Sequence, residues 1–377
     1  MRTPEFYKGK EQTYVKHFFL EKYLETVALH IGFSYPRFVY VDGFSGPWRA
    51  EGEDIADTSF WIALNRLNYV RKVLAAKGKE PHIKAVFVER LPSTFTSLQR
   101  AIQECRGDID VVSFPGTFED NIPKILGSVK HSFSFFFIDP TGWTGFGMEA
   151  IKPILQHTPG EVMINFMYDY INRFLNSRDP KIEAQLDALF GTKTWRSLRE
   201  TQDREYAIVD FYREQIRAAG NFQFVTSTRI LKPTHDRAYY HLIYATRNPK
   251  GITEFRTVEK KTVAEQEQVR WTAKRQVRED RSGQSELDLE PIKSLETELN
   301  SERSRQMQRA QDRILNLLQL GPDEYDNICP RILELPLVWE SDLKSILLRM
   351  RDDKQIHIDG MGLRGRVPKA GCRLRLI

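Results

Sequence analysis

Apolar positions along the chain switch repeatedly between a helical period and short continuous runs. Residues 11–32 place Tyr14, Phe18, Tyr23, Leu24, Val27 and Ile31 near helical spacing and end at Gly32, which predicts a helix. The run 38–41 is β-branched and aromatic and is bounded by Pro36 and Gly43, which predicts a buried strand. The same alternation continues. Helices are expected over 58–77 (Phe60, Ala63, Leu64, Leu67 and Val70 on one face), 91–104, 121–129 and 147–157. Strands are expected over 84–89, 111–115, 133–138 and 161–167. The run 133–138 is almost wholly apolar, as expected of a strand covered on both faces. Five strands alternating with helices imply an α/β fold with a parallel sheet, right-handed crossovers and helices on both faces. Residues 168–220 are mainly helical and polar and read as an insertion against the carboxyl edge of the sheet. Two further strands follow over 222–231 and 239–247, and Pro249-Lys250-Gly251 is expected to turn the chain.

The composition changes after about residue 264. Residues 265–305 read as a charged linker, partly helical, with Gly283, Pro291 and the acids Glu286, Asp288, Glu290, Glu296 and Glu298. Residues 306–377 read as a small second domain. It comprises a helix over 309–320, a helix over 341–353 with Ser341 as candidate cap, an alternating strand over 355–359, a glycine-containing turn over 360–365, and a strand over 372–377. Helices followed by a two-stranded wing predict a winged helix-turn-helix.

Bulk composition narrows the class. The 377 residues carry a net charge of +5, which permits a nucleic-acid partner without demanding one. The charge is uneven: from residue 360 to 377 there are five basic residues and no acid. Cys105, Cys329 and Cys372 are dispersed, with no CxxC and no histidine at ligand spacing, so free thiols in a reducing compartment are expected and a metal site is not. No run approaches the ~18 apolar residues of a membrane helix. The polar start (Glu5, Lys8, Lys10, Glu11) lacks a signal peptide's apolar stretch, so a cytoplasmic location is expected.

Candidate chemistry sits at the carboxyl ends of the strands, where open α/β sheets bind ligands. The first strand runs into Asp42-Gly43-Phe44-Ser45-Gly46-Pro47, a glycine-bearing turn whose backbone can approach a ligand closely. Without a ligand, the same turn reads as a tight strand-to-helix connection. The second strand ends in Glu89, an acid placed to accept hydrogen bonds from ribose hydroxyls, or alternatively to pair with Arg90. Thr117 and Phe118, after the third strand, are candidate adenine contacts or ordinary loop packing. The fourth strand ends in Asp139-Pro140, followed by Trp143. That pattern resembles the Asp-Pro-Pro-aromatic motif of amino-group methyltransferases. An exocyclic amine of adenine or cytosine is a poor nucleophile because its lone pair is delocalised into the ring. A carboxylate and a backbone carbonyl accepting its two N–H bonds localise that lone pair, and a neighbouring aromatic ring stacks on an extruded base. The competing assignment makes Asp139 a helix cap and Trp143 a core residue. Base C5 methylation needs a cysteine nucleophile, and none lies at this strand end.

Five parallel strands followed by a late hairpin is the usual layout of Rossmann-like methyltransferases. Three segments, Tyr40-Val41-Asp42-Gly43-Phe44-Ser45-Gly46-Pro47, Phe137-Ile138-Asp139-Pro140-Thr141-Gly142-Trp143 and Tyr244-Ala245-Thr246-Arg247-Asn248 with Gly251, together resemble the three-Cys-motif partner (TcmP) family. Residues 338–344 and the hairpin after them fit that family's C-terminal domain. The resemblance implies an S-adenosylmethionine-dependent methyltransferase with a C-terminal winged helix. It implies a cofactor site of Asp42, Gly43, Phe44, Gly46, Pro47, Ser59, Glu89, Thr117 and Phe118. It also implies a partner protein with three clustered cysteines, of the iron–sulfur or radical type. Trp48 stands where the family's turn has its final glycine, and Thr58-Ser59-Phe60 where it commonly has Gly-Ser-Pro.

The winged helix brings in nucleic acid as an expected partner, DNA or RNA. Lys344, Arg349, Arg351 and Lys354 on and after helix 341–353, with Arg364, Arg366 and Lys369 in the wing, are candidate phosphate contacts. Two functions stay open. One is a methyltransferase acting on a base amine. The other is a non-catalytic, methyltransferase-like module that docks a partner and binds nucleic acid. Methylation of a protein is a third.

Overall fold

The computed structural model describes residues 3–46, 58–282, 295–361 and 367–377. They form two compact units. One holds residues up to 225 together with 229–247, and the other holds 226–228 together with 248–377.

The first unit is built as the periodicity predicts. Helix α1 (Glu11–Ser34) leads into strand β1 (Arg37–Asp42), followed by α2 (Ser59–Ala75), β2 (His82–Glu89), α3 (Pro92–Cys105), β3 (Asp110–Pro115), α4 (Phe118–Ser128), β4 (Phe133–Ile138), α5 (Met148–Leu155) and β5 (Gly160–Phe166). The insertion contains α6 (Tyr168–Phe174), α7 (Pro180–Phe190) and α8 (Arg204–Gly220). Strands β6 (Phe224–Leu231) and β7 (Ala238–Thr246) complete a seven-stranded sheet of order β3-β2-β1-β4-β5-β7-β6. Strands β1 to β5 pair in parallel, and β7 lies antiparallel to β5. This order is that of the Rossmann-like methyltransferase sheet.

Alternate residues of the strands feed two layers. Val39, Val41, Val86, Val88, Phe136 and Ile138 pack with Ile122 of α4, Ile151 of α5 and Tyr212 of α8 in one core. On the other face the Phe87 ring meets Tyr40 and Phe60 of α2, and Phe135 meets Tyr23 of α1. Every residue of β4 is buried, as its unbroken apolar run requires.

The second unit comprises α9 (Pro249–Ser282), α10 (Leu295–Gln319), β8 (Asp323–Glu324), α11 (Tyr325–Ile332), α12 (Glu340–Asp352), β9 (Ile356–Asp359) and β10 (Arg373–Leu376), with a three-stranded sheet of order β8-β10-β9. Four boundaries differ from expectation. The 264 boundary falls inside α9, because the helix runs unbroken and the second unit begins at Asn248. Pro249 opens that helix instead of a turn: a proline costs no hydrogen bond in a first helical turn. Helix α10 starts at Leu295, inside the expected linker. Helix α12 starts at Glu340, so Ser341 lies within its first turn, and Asp342 Oδ2 accepts the Trp339 N–H instead (2.9 Å). Arg364 and Arg366 of the expected wing lie outside the described residues. Among the described residues no helix is long and apolar enough to cross a membrane.

Candidate functional site

Strand register gathers three acids along one edge. Asp42 ends β1 opposite Phe87 of β2 and Phe137 of β4. Glu89 and Asp139 each stand two residues beyond those partners. The sheet order reverses between β1 and β4, so the acids surround the switch point where ligands bind in open α/β sheets.

Asp42 is fully buried. Its Oδ1 accepts the Phe44 N–H (3.0 Å) and its Oδ2 accepts the Ser59 hydroxyl (2.8 Å). Burial pushes its carboxyl up to about 6, against the pull of those two hydrogen bonds, and neighbouring Asp139 adds to the rise. The turn after it is threaded between strand ends: Gly43 N–H donates to Phe137 C=O (3.0 Å) and Ser45 N–H to Val88 C=O (2.9 Å). The glycines answer to the chain's own side chains. A Cβ on Gly43 would stand 2.7 Å from the Phe118 ring, and one on Gly46 would stand 1.9 Å from Glu89 Oε2. Pro47 and Trp48 lie outside the described residues.

Glu89 is 6% exposed, and burial raises its carboxyl. Its Oε1 accepts the Leu91 N–H at 2.7 Å, which folds the side chain back over Gly46. Thr117 and Phe118 begin α4 instead of a free loop. The Thr117 hydroxyl accepts the Asp120 N–H (3.2 Å), capping the helix. Phe118 is 3% exposed and packs on Phe44, ring centroids 5.4 Å apart, within the core.

Asp139 is held from two sides. Lys16 of α1 donates to Oδ2 at 2.5 Å, and the Asn165 side-chain amide of β5 donates to Oδ1 at 2.6 Å. Pro140 is buried. Trp143 is half-buried, with its ring against Phe174 (5.0 Å) and Tyr170 (6.4 Å) and its Nε1 donating to Gln185 (3.2 Å). It therefore packs on the insertion and, partly buried, against the core. Lys16 also lies over the ring of Tyr240 (5.9 Å), whose hydroxyl donates to Gln12 C=O.

Lys16, Asn165 and Tyr240 escape the sequence reading. Asn165 has a signal, being the polar interruption near the end of an otherwise apolar run. Its Oδ1 is buried without a hydrogen-bond partner among the described residues, a polar atom left over at the edge where a ligand is expected. Lys16 has none, because nothing in a helix's own period says which strand end one of its cations will reach.

The candidate nucleic-acid residues of the second unit are less basic in place than in sequence. Lys344 pairs with Glu340 (2.7 Å) and Arg351 with Asp352 (2.7 Å). Residues 340–354 as a whole carry four cations (Lys344, Arg349, Arg351, Lys354) and four acids (Glu340, Asp342, Asp352, Asp353), and among the described residues Arg349, Lys354 and Lys369 form no such short ion pair.

No family model matches the chain, and no curated protein matches it. Among solved structures, a Legionella pneumophila protein is 9% identical over 65% of this chain and 90% of its own, with TM-score 0.38. The O-methyltransferase TomG of Streptomyces achromogenes, solved with S-adenosylmethionine, is 14% identical over 60% of this chain and 78% of its own, with TM-score 0.32. Loganic acid methyltransferase, solved with S-adenosylhomocysteine, is 9% identical over 73% of this chain and 90% of its own, with TM-score 0.30. Strand order and register, not these distant likenesses, define the fold.

Proposed function

We propose that the protein is an S-adenosylmethionine-dependent methyltransferase acting on an amino group of a nucleic-acid base. The observation that carries this is the convergence of Asp42, Glu89 and Asp139 on the switch point of a methyltransferase-type sheet. The residues present fit the cofactor. Glu89 stands at the end of β2, where an acid accepts ribose hydroxyls, and the lack of a side chain at Gly46 leaves room for its carboxylate. When bound, S-adenosylmethionine supplies an electrophilic methyl on a sulfonium. On the acceptor side, Asp139 keeps lone pairs beyond those used by Lys16 and Asn165, since a carboxylate accepts at about four positions. Asp139 and the Pro140 carbonyl orient the amine, Trp143 flanks the base, and the N–H proton displaced on methylation leaves to water.

Membership of the TcmP family, a C-terminal winged helix and a partner with three clustered cysteines belong to the same proposal. The three matching segments support the family, and the order α10-β8-α11-α12-β9-β10 supports the winged helix. The decisive experiment is transfer of labelled methyl to nucleic acid and to protein. Label is expected in nucleic acid with the wild-type chain and to be lost in Asp139→Ala. Undiminished transfer in that variant would remove Asp139 from the reaction, and label in protein alone would redirect the substrate. A non-catalytic docking module is favoured by one observation: the N–H groups of Gly43, Phe44 and Ser45 are already taken up within the chain. That alternative requires that calorimetry detect no S-adenosylmethionine binding.

A further inference from the structure

The insertion and the β6–β7 turn meet at the acceptor side of the sheet edge. Helix α6 follows directly on β5, and the register Phe166↔His241 brings the start of β7, with the turn 232–237 before it, alongside. At their junction Asp169 is only 3% exposed and takes three cations: Lys232 (2.9 Å), Arg173 (3.2 Å) and Arg237. Burial pushes the Asp169 carboxyl up, but Lys232 and Arg237 outweigh it and hold the group below its usual range. The Arg173 and Arg237 side chains, by contrast, are 58% and 56% exposed. A second acid, Glu205, pairs with Arg229 (2.6 Å) and His241 (3.1 Å), and Arg204 reaches from the same helix start to Asn176 (2.7 Å). Five cations (Arg173, Arg204, Arg229, Lys232, Arg237) thus stand with four acids (Asp169, Asp203, Glu205, Asp236), and three of the five converge on the single buried charge of Asp169.

Aromatic rings interleave with these charges. Arg173 lies over Tyr170 (5.3 Å) and Lys232 over Tyr239 (5.6 Å). Tyr170 meets Tyr239 (6.4 Å) and Trp143 (6.4 Å), and Tyr239 meets Tyr240 (5.4 Å), under Lys16 and hence beside Asp139. Trp143, Tyr170 and Tyr239 are half-buried. A buried carboxylate that gathers more positive charge than it neutralises fixes the half-exposed Arg173 and Arg237 side chains in advance, which lowers the ordering cost of binding an anion. Arginine side chains more than half exposed, alternating with half-buried rings, suit a single nucleic-acid strand, whose phosphates meet the cations while its bases stack.

We propose that α6 and the turn 232–237 form a platform for single-stranded nucleic acid leading to the base at Asp139. Arg173 and Arg237 contact phosphates, and Tyr170 and Tyr239 stack on bases. The location of the acceptor base rests on the methyltransferase proposal above; the binding itself does not.

The test is fluorescence anisotropy of labelled oligonucleotides of about 15 nucleotides, as single-stranded DNA, single-stranded RNA and duplex, with the full chain over a salt series. Single strands are expected to bind more tightly than duplex, and the DNA and RNA arms tell which is preferred. Arg173→Ala with Arg237→Ala is expected to weaken binding at least about tenfold and to lower the log–log salt slope by about 1.4, the share of two phosphates on a single strand. Arg173→Lys with Arg237→Lys is expected to stay within a few-fold of wild type. Lys77→Ala with Lys79→Ala, at exposed lysines in the turn after α2, is expected to leave single-strand affinity unchanged. If the alanine pair is destabilised, Arg237→Gln alone serves, at a side chain more than half in solvent. Wild-type-like binding by the Arg173/Arg237 alanine pair, an equal loss in the Lys77/Lys79 pair, or duplex bound as tightly as single strand would each overturn the platform. Calorimetry with S-adenosylmethionine keeps the two proposals separable. Strand binding through Arg173 and Arg237 without cofactor binding sinks the methyltransferase and leaves the platform; cofactor binding without strand binding does the reverse.

Discussion

Asp42 shows how far one residue's environment departs from its sequence neighbourhood. Its carboxyl rises from 3.8 to about 6 because it is fully buried, so between those values the folded chain holds a proton that the unfolded chain has released. Stability from this group therefore falls as pH rises through that window, and above it the buried charge costs roughly 3 kcal/mol. Asp42→Asn keeps an acceptor for the Phe44 N–H, and its amide donates to the Ser59 hydroxyl oxygen where Asp42 accepted from it. Its urea midpoint is expected to exceed the wild type's at pH 7.5 and to approach it near pH 4; a gap independent of pH would contradict the burial. Glu205 works in the opposite sense. Burial raises its carboxyl, but His241 and Arg229 prevail and bring it from 4.5 to about 2. Its stabilisation is full above 4.5 and fades as pH falls toward 2. Glu205→Gln is expected to flatten the acid limb of a pH–stability profile over that range.

At the scale of elements, helix starts depart from expectation where a cap has the composition of a loop. Gly116-Thr117-Phe118-Glu119-Asp120 looks like a turn, yet Thr117 and Asp120 are the N-terminal cap of α4. Thr117→Ala is expected to cost about 1 kcal/mol in chemical denaturation, with most of that returned by Thr117→Ser. A loss of cofactor affinity with unchanged stability would instead assign Thr117 to the adenine. Helix α12 departs in its charges. Its cations are legible in the sequence, but two of them, Lys344 and Arg351, are paired with acids one turn or one residue away, and balanced charge weakens any attraction to phosphate.

At the scale of the molecule, the second unit is tied together by a side chain with no signal in sequence. Arg256, fully buried on α9, donates to Leu333 C=O (2.7 Å), Ser227 C=O (3.2 Å), Glu334 C=O (3.2 Å), Thr226 and Glu259 (2.6 Å). It links α9, the three residues 226–228 and the chain after α11. In sequence it is one of many charges in a polar helix. Arg256→Met leaves the buried Glu259 charge without its partner and is expected to cost about 3–5 kcal/mol in thermal or urea unfolding. Adding Glu259→Gln should recover part of that, and a double variant no better than the single would deny the pair its role.

The sequence alone determined the strands, most helices and the carboxyl-edge location of Asp42, Glu89 and Asp139, because hydrophobic period and strand ends are local properties. It also determined the alternation that makes the sheet parallel. Tertiary structure decided the rest. It set Phe118 and Glu89 where a Cβ on Gly43 or Gly46 would stand. It placed Lys16 and Asn165 on Asp139, and it brought Lys232 and Arg237 of the β6–β7 turn onto Asp169 of α6. These partners are distant in the chain: Asp139 is 26 residues from Asn165 and 123 from Lys16, and Asp169 is 63 from Lys232. A hydrophobic period reports only on which face of its own element a residue lies, so pairings at those separations exist only once the sheet has set its order and register.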